Sequence, residues 1–214
     1  MPESDATELM NKAPKPVPQD QRSQATQARI CKAAITCLDR LGYAETTFAT
    51  IQAEAGVSRG AITHHFPNRQ TLVAATARDL LANALGPVER PDPEEAPTPV
   101  RQLILNAWEK VVNSAGGRAF VEILVACRTD TELYQLLEDH LREWDRVSRQ
   151  SISHLYSGNG NVPDDAEILW SIARNFLRGL ILHENFTEDP AYLARMVARF
   201  ADMMETQLSP KELQ

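Results

Sequence analysis

The chain has 214 residues, a net charge of −7, and 43% apolar against 24% charged side chains, a balance typical of folded globular proteins. No apolar run reaches the roughly 18–20 residues needed to cross a bilayer, and the polar, proline-rich start MPESDATELMNKAPKPVPQD has no apolar stretch like that of a secretory signal. These features point away from membrane and secreted classes and towards a cytoplasmic protein with no membrane partner. The three cysteines, Cys31, Cys37 and Cys127, make no CxxC or Cys/His spacing, so packed, reduced thiols are expected and no metal site.

The charge is unevenly spread. Residues 20–85 carry seven basic against five acidic side chains, while residues 86–214 carry thirteen against twenty-one. A mildly basic head on an acidic body suggests two tasks in one chain.

In chain order, residues 1–20 read as a disordered tail. From Gln21 to Leu41, apolar residues Ile30, Ala34, Cys37 or Leu38, and Leu41 recur at helical spacing, and Gly42 stops the run. Phe48, Ile51 and Ala55 form a short second face behind the cap candidates Thr46 and Thr47. Gly56 breaks it. Ser58 caps a third helix to about His65, Pro67 ends that one, and Asn68 caps a fourth to about Leu85. GPVERPDPEEAPTP, with five prolines and four acids, marks a boundary loop over residues 86–97.

Beyond the loop, Thr98-Pro99 opens a helix to about Ser114, and Gly116-Gly117 separates it from a run ending near Arg128. Thr129 with Glu132 has capping-box spacing and opens a long helix to about Tyr156. SGNGNVP breaks the chain, Asp164 with Glu167 repeats the box before a strongly apolar helix to about Glu184, and Asp189-Pro190 starts the last, ending near Leu208. No strand pattern is visible. The expected fold is all-α with about nine helices: a head over residues 21–85 and a body over residues 98–214.

The head contains AGVSRGAITHHF. Two short helices joined by a tight turn with glycine at its start form a helix-turn-helix, because the turn residue must take a positive φ. Val57, Ile51 and Ile62 pin the pair from inside, Phe66 anchors the far end, and the outer side of Ser58–His65 is left to enter a major groove. Gly60 keeps that side slim. Arg59 suits a guanine edge or a phosphate. Thr63, His64 and His65 add short polar and aromatic groups. Thr47 and Asn68 set helix starts where phosphates can sit, and Arg69 adds charge beside the second. The candidate DNA-contacting residues are therefore Thr47, Ser58, Arg59, Gly60, Thr63, His64, His65 and Arg69.

The order Thr-Thr, then Ile-x-x-x-Ala-Gly-Val-Ser-x-Gly, then His-Phe-x-x-(Lys/Arg)-x-x-Leu resembles the DNA-binding head of the tetracycline-repressor (TetR) family. Thr46, Thr47, Ile51, Ala55, Gly56, Val57, Ser58, Gly60, His65, Phe66, Arg69 and Leu72 carry the likeness over about residues 25–75. Two positions depart from the family pattern: Gln52 stands where a small alanine is usual, and Thr63 where a phosphate-contacting tyrosine is usual. The resemblance implies a DNA-binding regulator whose body holds a small-molecule pocket and a dimer interface.

In the body, Trp108, Phe120, Cys127, His140, Trp144, Asn175 and Phe176 are the candidate ligand contacts, with Tyr156, Trp170, Arg118, Glu122 and Arg178 as further lining candidates. The acidic balance favours a neutral or cationic ligand. The 164–184 helix carries two apolar stripes. With the last helix, this gives Trp170, Ala173, Leu177, Ile181, Met196, Phe200 and Met204 as the expected homodimer interface. No nucleophile–base pair, HExxH or Gly-rich phosphate loop is present, so neither an enzyme nor a cofactor is expected. The expected function is a dimeric, ligand-released repressor acting on double-stranded operator DNA. An architectural, ligand-independent DNA-binding protein with the same head is the alternative.

Overall fold

The computed structural model describes residues 19–89 and 97–211. Among them run nine α-helices: α1 Gln19–Glu45, α2 Phe48–Ala55, α3 Arg59–His65, α4 Arg69–Glu89, α5 Val100–Asn106, α6 Ala115–Ala126, α7 Thr131–Leu155, α8 Asp165–His183 and α9 Pro190–Glu205. The expected tail over residues 1–20 lies outside the described residues except for its last two, which begin α1, as does most of the proline-rich loop. Helix α4 runs four residues past its expected end, to Glu89.

Gly42 does stop the first helical run, with φ 77° and ψ 173° inside α1, so Tyr43–Glu45 form a separate turn. Thr47 caps α2 in a box with Thr50, whose hydroxyl accepts from the Thr47 N–H. Ser58 caps α3, its Oγ accepting from the Ala61 N–H, and Asn68 caps α4 by accepting from the Thr71 N–H at 2.8 Å.

Four expectations in the body need correction. Two three-residue strands exist, β1 Tyr156–Gly158 and β2 Leu208–Pro210, antiparallel with Ser157 opposite Ser209. They are too short for an alternating pattern to show, and they tie the chain after α9 to the end of α7. The α7 cap is Asp130, not Thr129: its Oδ1 accepts from the Leu133 N–H at 3.0 Å, an ionised acceptor one residue further on. Asp164 makes no cap bond and sits at φ 62°, while Asp165 is drawn back to the Gly160 N–H. Gly116 and Gly117 do not separate helices; they lie in the first turn of α6 behind the cap Ser114. A Cβ on Gly117 would lie 2.1 Å from the Val111 carbonyl, so close backbone approach, not a break, requires this glycine.

That approach follows from a local irregularity. Ala107–Val112 continues α5 as a π-helical turn, with the Asn113 N–H donating to the Trp108 carbonyl at 2.8 Å. On the other side of the body α5 packs on α9, and α8 on α7.

Three of the four buried clusters define head, joint and body. The head core gathers Ile30, Ala34, Cys37, Ile51, Ile62, Phe66 and Leu72. The joint below it, where α4 packs along α7 and α1 along α6, gathers Leu38, Val73, Ala77, Ile123, Leu133 and Leu137. The body core holds Ile104, Trp108, Trp170, Ala173, Leu177, Val197 and Met204. The head is therefore seated on the body through continuous apolar packing, the arrangement that lets a change in one reach the other.

Candidate functional site

The helix-turn-helix is built by three local devices. Gly56 closes α2 in the left-handed region at φ 61° and ψ 37°, and its N–H donates to the Gln52 carbonyl. No atom lies within 4 Å of a Cβ placed there, so backbone conformation alone selects glycine. Ile51 and Ile62 are fully buried, and Val57 packs against them from the turn. Phe66 ends α3 in an extended conformation and is buried under it. Gln52, the departure from small size, is half-buried and accommodated without breaking the turn.

These constraints leave one edge outward. Ser58, Arg59, Gly60, Thr63 and His64 are exposed, and His65 is half-buried beside Phe66, with ring centroids 6.3 Å apart. Arg59 makes no ion pair or side-chain hydrogen bond among the described residues, so its guanidinium is available. The Thr63 hydroxyl donates back to the Arg59 and Gly60 carbonyls at 3.2 and 3.3 Å, which leaves its methyl and lone pairs facing outward. The Ser58 and Thr47 oxygens accept from their own helix N–H groups; the Ser58 proton is left to donate outward, while the Thr47 hydroxyl also lies 3.3 Å from that of Thr50.

Arg69 is engaged elsewhere. Its Nη1 donates to the Tyr43 carbonyl at 3.1 Å, and the guanidinium lies 4.2 Å above the Tyr43 ring. Tyr43 in turn donates from its hydroxyl to Asp130 Oδ2 at 2.5 Å, and its N–H donates to Glu122. Gln70 donates to the same Asp130 oxygen at 3.2 Å, and the Asn68 amide donates to Glu132. Arg69 is thus part of a polar latch between head and body. Sequence reading missed the latch because its partners in the body lie 60 or more residues from Tyr43, Asn68 and Gln70.

The seven expected ligand contacts do not meet in one place. Phe120 and Trp144 do, with ring centroids 6.2 Å apart beside Leu81 of α4. Trp108 is packed in the body core, and Cys127 lies in the joint under the head. His140 is exposed on α7. Asn175 and Phe176 face the other way, lining an open groove of about 580 Å³ with Ile168, Ser171 and Ile172.

The expected interface also needs correction. Trp170, Ala173, Leu177 and Met204 are buried in the protomer's own core and cannot face a partner. Ile181, Met196 and Phe200 are partly buried against the same core. The outward stripe of α8 is the other one: Ile168 (47% exposed), Ile172 (51%), Phe176 and Leu182. Gly179 leaves this stripe flat. Beside it, Tyr192 and Met203 of α9 are exposed, and Phe176 meets Phe200 at 4.2 Å.

Among the described residues no group of three or more His, Cys, Asp or Glu could hold a metal ion, and no helix is long and apolar enough to cross a membrane. Burial pushes the Cys31 thiol up to about 11 and raises Cys37 and Cys127, so all three are held as neutral thiols.

Comparison with known proteins agrees with this geometry. Residues 30–76 match the family described as bacterial regulatory proteins, tetR family. An uncharacterised HTH-type transcriptional regulator of Mycobacterium tuberculosis is 32% identical over 127 residues, which cover 59% of this chain and 65% of that protein. The HTH-type transcriptional regulator CymR of Pseudomonas putida is 28% identical over 189 residues, covering 86% of this chain and 91% of CymR. Among solved structures, the regulator FadR of Bacillus subtilis, in complex with stearoyl-CoA, superposes with a TM-score of 0.59 at 16% identity, covering 81% of this chain and 96% of FadR. The chain thus spans slightly under two thirds of the mycobacterial relative and nearly all of CymR. The head over residues 30–76 thus matches the tetR family of bacterial regulatory proteins, and the chain as a whole is similar in sequence to HTH-type transcriptional regulators.

Proposed function

We propose that the protein is a dimeric, ligand-responsive transcriptional regulator, a repressor that leaves a palindromic operator when a small molecule occupies its body. The observation that carries this reading is the outward edge Arg59–Gly60–Thr63–His64, held by buried Ile51 and Ile62 with Val57 packed beside them, and making no ion pair or tertiary side-chain hydrogen bond among the described residues. A single head buries too little surface for useful specificity, so two are needed at half-sites one helical turn apart. The second copy supplies the cover for the apolar stripe of α8 and its α9 neighbours, as a four-helix bundle. Supporting the pocket half is the convergence of Phe120 and Trp144 with Leu81, midway along the same α4 whose start carries Asn68 and Arg69. A ligand that binds one setting of α4 better than another shifts the head separation by its difference in affinity. The cytoplasm follows as the compartment of the DNA partner.

The test is electrophoretic retardation of a palindromic fragment from near the protein's own gene. Retardation at far lower protein concentration than random DNA of equal length is expected. Equal retardation of both would remove the reading.

A further inference from the structure

Helix α8 presents Arg174 and Arg178, one turn apart, to the same indole of α7: their guanidinium carbons lie 4.7 and 5.0 Å from the Trp144 ring centroid, and Arg178 also lies 5.5 Å from that of Phe120. Two polar atoms of this cluster are buried with no hydrogen-bond partner among the described residues, Trp144 Nε1 and Arg174 Nε, in residues that are each 9% exposed. Both are donors. Native interiors leave few such atoms unpaired, and each asks for an acceptor.

The charges point the same way. Asp145 accepts from Arg174 Nη2 at 2.7 Å and from Arg149 Nε at 2.9 Å, and Glu167 accepts from Arg149 at 3.1 Å. Three guanidinia face two carboxylates, and Arg178 forms no ion pair or side-chain hydrogen bond among the described residues. Burial, then the like charge of Arg174, pull it down to about 10. A cation kept out of water without a counter-charge is costly unless something anionic joins it. Arg178 is half-buried, the member of the cluster nearest its outer edge. Leu81, Leu124 and Leu141 complete an apolar wall around Phe120 and Trp144.

We infer that this cluster is an effector site for a small organic carboxylate with an aromatic or branched apolar body. Arg178 is the counter-ion, Trp144 Nε1 and Arg174 Nε are donors to the carboxylate oxygens, and Phe120 with the leucines holds the body. Planar guanidinium matches carboxylate in two parallel hydrogen bonds, and the indole supplies a third direction. The inference rests on the ligand-responsive reading above and gives it a chemical class. It reverses the expectation of a neutral or cationic ligand, because an acidic net charge says nothing of the local field at a buried site.

The test is thermal denaturation of the full chain with benzoate, phenylacetate and hexanoate at millimolar concentration, each beside its neutral amide. At least one acid is expected to raise the melting temperature by about 5–10 °C when it is a hundredfold above its Kd, its amide far less. Arg178→Met, expected to fold at least as stably as the parent, loses the acid response. Arg178→Lys keeps part of it, and Trp144→Phe, which removes only the N–H, weakens it. Amides matching their acids, an undiminished acid response in Arg178→Met, or no response to any acid would each overturn the site. Operator binding is measured on the same preparation. Intact selective DNA binding without an acid response sinks this inference alone, whereas an acid response without selective DNA binding sinks the regulator reading alone.

Discussion

The Tyr43 hydroxyl donates a 2.5 Å hydrogen bond to Asp130 Oδ2, fastening the turn that ends α1 to the cap of α7. Around this bond, Arg69 lies over the Tyr43 ring and Gln70 shares the Asp130 carboxylate, so the start of α4 belongs to the same knot. A hydrogen bond to a charged acceptor in a partly buried place contributes about 1–2 kcal/mol. Tyr43→Phe keeps the ring under Arg69 and removes only that bond. Its urea midpoint should fall accordingly, with an unchanged slope; a midpoint equal to the parent's would show that the bond contributes nothing.

Titration of the same groups gives stability a shape in pH. Burial pushes Asp130 up, but hydrogen bonds from Tyr43, the Leu133 N–H and Gln70, with the Arg69 charge, outweigh it and hold the carboxyl below its ordinary 3.8. A depressed carboxyl contributes stability above its ordinary value that is lost as pH falls through the folded one, so acid unfolding should steepen below about pH 4. On the alkaline side, burial raises Cys31 from 9.0 to about 11 and both Tyr43 and Tyr156 from 10.0 to about 12. Groups raised in the folded state contribute fully below their unfolded values, and that contribution is lost as pH rises through the folded ones. Stability should therefore decline from about pH 9 to 12, and Tyr43→Phe should flatten the part above pH 10. Urea midpoints across pH check both limbs.

Gly56 isolates backbone conformation from packing. Its φ of 61° suits glycine, yet a Cβ would meet nothing within 4 Å. Gly56→Ala should cost about 1 kcal/mol, and Gly56→Asn less, since asparagine tolerates the left-handed region. Equal losses in the two variants would point to a steric cause instead.

The outward stripe of α8 makes the dimer proposal specific. Ile172 is 51% exposed, so Ile172→Glu removes little from the protomer's own core. Sedimentation of the parent should give about twice the 23.9 kDa chain mass, and the variant should give the chain mass with its melting behaviour otherwise preserved. A variant that stays dimeric would move the interface off this face.

The head was readable from sequence because its determinants are local. Gly56, the caps Thr47, Ser58 and Asn68, and the apolar Ile51, Val57 and Ile62 lie within a few residues of what they act on. The body was read less well, for physical reasons. Periodicity shows that α8 has two apolar stripes but not which of them meets α5, α7 and α9, so Ala173 and Leu177 were placed outward when Ile168 and Ile172 are. Competing acceptors one residue apart, Thr129 and Asp130, moved the start of α7. Arg174 and Arg178 gain their meaning only from Trp144, thirty or more residues earlier, and no spacing rule announces such a meeting.

The central claim, that the edge led by Arg59 reads duplex DNA, is tested most directly by selecting bound sequences from random DNA with the parent protein and with Arg59→Ala. Arg59 is exposed and makes no ion pair or side-chain hydrogen bond among the described residues, so the variant should melt with the parent while its affinity for the selected site falls by about 10- to 100-fold, a loss of about 1–3 kcal/mol. The account predicts that the parent enriches a palindrome with half-sites one helical turn apart and that the variant loses this preference. Enrichment of no sequence by the parent, or of the same palindrome with equal affinity by both proteins, would contradict it.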